Sequence, residues 1–240
     1  MKKKVLGVKV DDISMEQAVE TVQSWLEKPG KHYIVTPNPE FLLTAQRDLE
    51  FKTILNKADL AIPDGKGLRI GTDIVCNIPG IDLMEELIKL SAEKGFTTGF
   101  LGGRNGVAEL IAERLKKKYP GFKVTYAISG PVIPAQAGIQ LTNDLWIPDQ
   151  VRDDKVDILF VAFGHPKQEK WIAENLRKIP VKVAMGVGGS FDYISGKVPR
   201  APKLLQSLGL EWLFRLIIQP WRIKRQIKLL EYVWLVLNSN

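Results

Sequence analysis

An α/β fold is predicted: a mostly parallel sheet with helices on both faces, followed by a helical appendage. Three observations predict it. Short apolar, β-branched runs alternate with longer segments of helical period, the pattern of a parallel sheet covered on both sides. Gly, Pro, Asn and Asp cluster immediately after the apolar runs, at the strand ends where such sheets bind ligands. Beyond Arg200-Ala201-Pro202 the pattern turns helical only.

In chain order, the strand candidates are Lys4–Val10, His32–Thr36, Ala58–Ile62, Thr97–Leu101, Lys123–Ile128, Asp157–Phe163 and Val181–Val187. Helical period marks Ser14–Lys28, with Ser14 as N-cap and Gln17 at the capping-box position. It also marks Pro39–Lys57, Asp82–Lys94, Gly106–Tyr119 and Pro166–Ile179. Pro131–Asp154 carries three prolines and no sustained period, so it reads as a long surface loop inserted between two strands. Lys203–Gln219 is one helical segment broken at Pro220. After it, Ile223, Ile227, Leu230, Trp234 and Leu237 form an apolar stripe, with Arg222, Arg225 and Lys228 on another face. Such a helix either lies in a membrane interface or packs on its own domain with a solvated charged face. The expected division is residues 1–200 as a Rossmann-like domain, with 131–154 as insertion, and 201–240 as a basic appendage.

Composition narrows the class. With 240 residues, 45% hydrophobic and 25% charged, the chain is an ordinary globular protein and not a disordered or fibrous one. Its single cysteine, Cys76, allows no intramolecular disulfide and suits a reducing compartment. The apolar run after the basic N-terminus stops at Asp11, too short for a signal peptide. No apolar stretch approaches the ~20 residues of a spanning helix. Net charge is +7, but residues 212–240 carry +4 of it through Arg215, Arg222, Lys224, Arg225 and Lys228 against Glu231. Any anionic partner therefore belongs to the tail.

The loops after the strands hold the chemistry. Asp64, between Pro63 and Gly65, presents a carboxylate at the cleft edge, where a general base would stand; taken alone it reads first as a turn or capping Asp. Thr36 and Asn38 offer a hydroxyl and an amide suited to sugar or phosphate groups, or serve the turn around two prolines. Gly102-Gly103-Arg104-Asn105-Gly106 lacks both GxGxxG spacing and a Walker lysine. Gln168 opens a helix and is placed to meet a ligand, whereas Glu169 suits the helix dipole. His165 is one of two histidines, and with one cysteine there is no zinc set. No Gly-x-Ser-x-Gly elbow occurs.

Taken together, TPNPEFL (36–42), IPDGKG (62–67), GIDLM (80–84), FLGGRNGVAE (100–109) and FGHPKQEKW (163–171) resemble the WecG/TagA/CpsF glycosyltransferases, glycosyltransferase family 26. GVGGSFDYISGKVPRAP (186–202) and GLEWLFRLIIQPWRIKR (209–225) extend the resemblance almost end to end. The resemblance implies an inverting, metal-independent bacterial enzyme with no cofactor. It would move N-acetylmannosamine, or its uronic acid, from a UDP-sugar to N-acetylglucosamine-diphospho-undecaprenol for wall teichoic acid or other surface polysaccharide. Asp64 would then be the catalytic base, with Thr36, Asn38 and Gln168 in the cleft. Arg215, Arg222 and Arg225 would close over the leaving UDP, and Gly188 and Gly189 would cradle its diphosphate through backbone N–H groups. The appendage becomes active-site lid and membrane contact. The enzyme is expected in the cytoplasm, peripheral on the inner face of the membrane, with self-association covering the tail and no nucleic-acid partner.

Two departures from the family stand out. Asn77 occupies a position where the family has arginine, and Gly67–Gly80 is a few residues short, which throws the phosphate contact onto Arg69 or another residue. Pro131–Asp154 replaces a short linker, and its deletion is expected to leave folding intact. Removing everything after Leu208 is expected to raise solubility, keep the fold and abolish transfer. The rival functions are a nucleotide-binding oxidoreductase, which would bind NAD rather than UDP, and a basic membrane-binding inactive relative.

Overall fold

The computed structural model describes residues 2–104, 106–130, 147–208, 210–220 and 223–238; for residues 207, 208, 215 and 224–227 it describes the backbone. Six parallel strands form one sheet in the order β4-β3-β8-β7-β5-β6: β3 (His32–Val35), β4 (Leu60–Ala61), β5 (Thr97–Gly102), β6 (Lys123–Ile128), β7 (Val156–Ala162) and β8 (Val181–Gly186). The predicted first strand is instead a separate hairpin of β1 (Lys2–Val5) and β2 (Val8–Asp11). Leu6 and Gly7 both take positive φ, the geometry of a tight two-residue hairpin turn. The hairpin abuts the sheet edge, where buried Asp11 accepts the Ala61 N–H through Oδ2 (2.9 Å) and blunts it.

Side chains alternate along the strands. Ile34, Phe100, Phe160 and Met185 face α1 (Met15–Leu26), α4 (Gly80–Lys94) and α5 (Val107–Lys118). Leu101, Leu159, Val161 and Ala184 face the side covered by α7 (Lys167–Asn175). Toward β3 and β4 that second side is covered by α2 (Pro39–Arg47) and α3 (Leu49–Lys57). The predicted helix over 39–57 divides at Asp48, which ends α2 and caps α3 by accepting the Phe51 N–H (2.9 Å). The capping box at Ser14 and Gln17 forms as predicted.

The inserted stretch is not loop throughout. Residues 131–146 lie outside the described residues, but Asp149–Asp153 form a short helix, α6, whose Val151 is fully buried beside Tyr126 and Trp171. Deleting the whole of 131–154 therefore removes a core side chain. Past α8 (Ser190–Ile194) come α9 (Lys203–Leu208), α10 (Glu211–Ile218) and α11 (Ile223–Leu237), so the helix predicted over 203–219 is two. No helix among the described residues is long and apolar enough to cross a membrane.

Candidate active site

The chain leaves β5 toward the outer strand β6 but leaves β7 toward the inner strand β8, so the loops after these two neighbours diverge at a topological switch point. Short backbone bonds stitch the loops at this carboxyl edge together. Gly103 N–H donates to Ala162 O (2.9 Å), Val187 N–H to Val161 O (2.9 Å), and Ile62 N–H to Val35 O (2.9 Å). Thr36 and Asn38 follow β3; Asp64 follows β4, and its N–H donates to Pro37 O at 2.9 Å. These three residues thus share one corner. Thr36 is buried, Asn38 and Asp64 half-buried.

Local geometry explains each. Asn38 is the N-cap of α2, its Oδ1 accepting the Phe41 N–H (3.0 Å), which leaves Nδ2 as the donor end of the amide. Gly65 takes φ +88°, a conformation open to glycine, and turns the chain straight after Asp64. Gly80, at the start of α4, lies against Thr36: a Cβ there would sit 3.3 Å from Thr36 Cγ2. Asn77 lies between two pinned residues, with the Ile78 N–H on Pro63 O (2.8 Å) and the Cys76 N–H on Asp12 Oδ1 (2.7 Å). Its buried Oδ1 has no hydrogen-bond partner among the described residues. Arg69, the proposed substitute, is exposed on the 3₁₀ turn Lys66–Arg69.

Gln168 is 3% exposed and bonded through both ends of its amide. Its Oε1 accepts the Gly164 N–H (3.1 Å) and the Gly188 N–H (3.0 Å), while its Nε2 donates to Glu169 Oε1 (2.7 Å). It clips the loop after β7 to the loop after β8. This spends the Gly188 N–H, and the Val187 and Ser190 N–H groups are likewise bonded within the fold. His165 stacks on Phe41 (4.2 Å) and meets Phe51 edge-on, its Nε2 2.9 Å from Thr44 Oγ1, a packing position. Among the described residues no three His, Cys, Asp or Glu side chains cluster as metal ligands would.

The tail reaches this corner. Leu229 of α11 lies over Gly67 and Pro39, so close that a Cβ on Gly67 would be 3.0 Å from Leu229 Cδ1. Tyr232 and Val236 are buried among Leu42, Leu68 and Ile74, and Tyr232 OH donates to Leu68 O (3.3 Å). Lys228 pairs with Glu40 (3.0 Å), and Arg47 with Glu231. The apolar stripe read from the sequence points the other way, with Ile223, Leu230 (72% exposed), Trp234 (64%) and Leu237 in the open. Arg215 lies on α10 and Arg225 on α11, their side chains outside the described set, and Arg222 lies outside the described residues. Gly67 was legible only as part of a string; its role as the seat of α11 needs the fold.

The model of the glycosyl transferase WecG/TagA/CpsF family matches residues 3–240. A protein of Bacillus subtilis (strain 168) named N-acetylglucosaminyldiphosphoundecaprenol N-acetyl-beta-D-mannosaminyltransferase is 31% identical over 230 residues, 90% of this chain and 86% of its own. Proteins of the same name from Bacillus spizizenii (32%; 90% and 83%) and Staphylococcus aureus strain MRSA252 (31%; 92% and 86%) are similarly related. The oxidoreductase reading ends with this match. With its loops gathered at one sheet edge and its matching strings spread over the whole length, the chain belongs to the WecG/TagA/CpsF family of glycosyl transferases.

Proposed function

We propose that this protein transfers N-acetylmannosamine, or its uronic acid, from a UDP-sugar to N-acetylglucosamine-diphospho-undecaprenol. The observation that carries this reading is the shared corner of Asp64, Thr36 and Asn38 beneath α11, in a chain that matches the family from residue 3 to 240. In the proposed reaction an acceptor hydroxyl oxygen attacks the anomeric carbon from the face opposite the leaving group. Its proton passes to Asp64, and UDP departs with the electron pair of the broken bond. Thr36 and the Asn38 amide hold sugar hydroxyls. The growing charge on UDP is met by Arg215, Arg222 and Arg225 and by the Gly189 N–H, without a metal.

The outward apolar residues of α10 and α11, with Trp212, Ile217, Leu230 and Trp234 among them, support a contact with the inner membrane surface, where the lipid-linked acceptor resides. Anionic lipid would attract each nearby Lys or Arg by ~1 kcal/mol. Self-association through the same face in the absence of lipid belongs to this reading. The test is an assay with UDP-N-acetylmannosamine and a lipid-diphosphate N-acetylglucosamine analogue, comparing wild type with Asp64→Asn. Loss of a general base lowers the rate by about 10²–10⁴-fold. Equal rates in a folded variant remove Asp64 from the role.

A further inference from the structure

Arg200 stands at the junction of sheet domain and tail, and three carboxylates converge on it. Its guanidinium pairs with Asp82, lies 3.7 Å from Glu85 Oε2, and reaches Glu211 Oε1 at 3.4 Å through Nε. Asp82 and Glu85 belong to α4, and Asp82 lies two residues past Gly80, the glycine packed on Thr36. Glu211 opens α10, the helix that carries Arg215. The main chain around Arg200 is anchored too: Val198 N–H donates to Asp192 O (3.1 Å), and buried Ala201 accepts from Gln206 through its carbonyl.

We infer that Arg200 is a positioning residue that fixes α10 against the cleft-side end of α4. The inference rests on the proposed place of the tail in the active site. One cation faces three anions, so its removal leaves carboxylates of α4 and α10 to repel one another across the junction. A planar fork serves several carboxylates at once, whereas a lysine ammonium is a single point charge. The three carboxylates are 33%, 45% and 27% exposed, so solvent screens the pairs, and the effect is on where α10 lies and not on whether the domain folds. A tail held in place only part of the time lowers apparent substrate affinity by the fraction of molecules in the competent state.

Hydrogen exchange by mass spectrometry on the full-length protein tests this, with Arg200→Ala, Arg200→Lys and Glu211→Gln. The expected result is a tenfold or greater rise in exchange over 211–218 in Arg200→Ala and Glu211→Gln, none in 156–162, and partial recovery in Arg200→Lys. In transfer assays KM for the UDP-sugar is expected to rise fivefold or more, with kcat changed less than twofold. Unchanged exchange in α10, or a rise confined to 80–94, overturns the inference. If Arg200→Ala does not fold, Glu211→Gln, which leaves α4 and Arg200 intact, decides alone. A loosened α10 with unaltered transfer supports the latch and instead takes the tail out of the chemistry.

Discussion

The centre of the sheet and the C-terminal tail are both rich in apolar residues, yet they use them differently. Phe100, Ile158, Phe160, Val183 and Met185 are wholly covered, because parallel strands have helices on both faces. On α11, Tyr232 and Val236 are equally covered while Leu230, Trp234 and Leu237 stand in the open. An apolar stripe therefore marks a buried face only where a second layer exists to bury it. The tail has a docking face and a free face, and both are apolar.

The sharpest way to break this comparison is substitution in the centre. Phe160→Ala is expected to destabilise by about 3–5 kcal/mol in urea unfolding, the range for emptying a packed aromatic site. Tyr232→Ala, on the docked face, is expected to cost about 2–3 kcal/mol, since one side of its site is a single helix. A loss as large as that of Phe160→Ala would make α11 part of the central core. For the same reason, removing everything after Leu208 uncovers Leu42, Leu68 and Ile74, which opposes the gain in solubility expected from losing the outward residues.

A smaller effect concerns the segment beside Asp64. Burial opposes the charge of Asp12, but the Lys3 ammonium and the Cys76 and Val75 N–H groups hold its carboxyl well below the usual carboxylate range. A carboxyl depressed in the folded state contributes stability above its unfolded pKa of about 4, and that contribution is lost as pH falls through the folded value. Melts of Asp12→Asn and wild type are therefore expected to converge below about pH 4. A constant gap down to pH 2 would contradict the linkage. The smallest effect on stability belongs to the free face. Leu230→Ser with Trp234→Ser is expected to shift unfolding by no more than about 0.5 kcal/mol. Binding to anionic phospholipid vesicles is expected to fall several-fold, and unchanged binding would show that this face is not the lipid contact.

Much of the architecture was legible because it rests on local patterns. Lys123–Ile128 is the predicted strand, and Ser14 with Gln17 forms the predicted capping box. The strand predicted at Lys4–Val10 is a hairpin because Leu6-Gly7 turns the chain, a break that the valine-rich run around it hides. Val151 reads as loop in the sequence because a helix of five residues is too short to show a period. Gln168 reads from the sequence as a cleft residue; that its Oε1 also joins Gly164 to Gly188, in loops after different strands, is announced by no spacing along the chain.

By itself, the sequence determined the fold class, the family resemblance and the loops that hold Asp64, Thr36 and Asn38. These depend on local period, turn chemistry and unbroken strings, which the chain displays in order. Tertiary structure alone decided which side of α11 is covered, which glycine seats it, and that Arg200 gathers Asp82, Glu85 and Glu211. Those facts are juxtapositions of residues far apart in the chain, and packing against a second surface, not local preference, selects them.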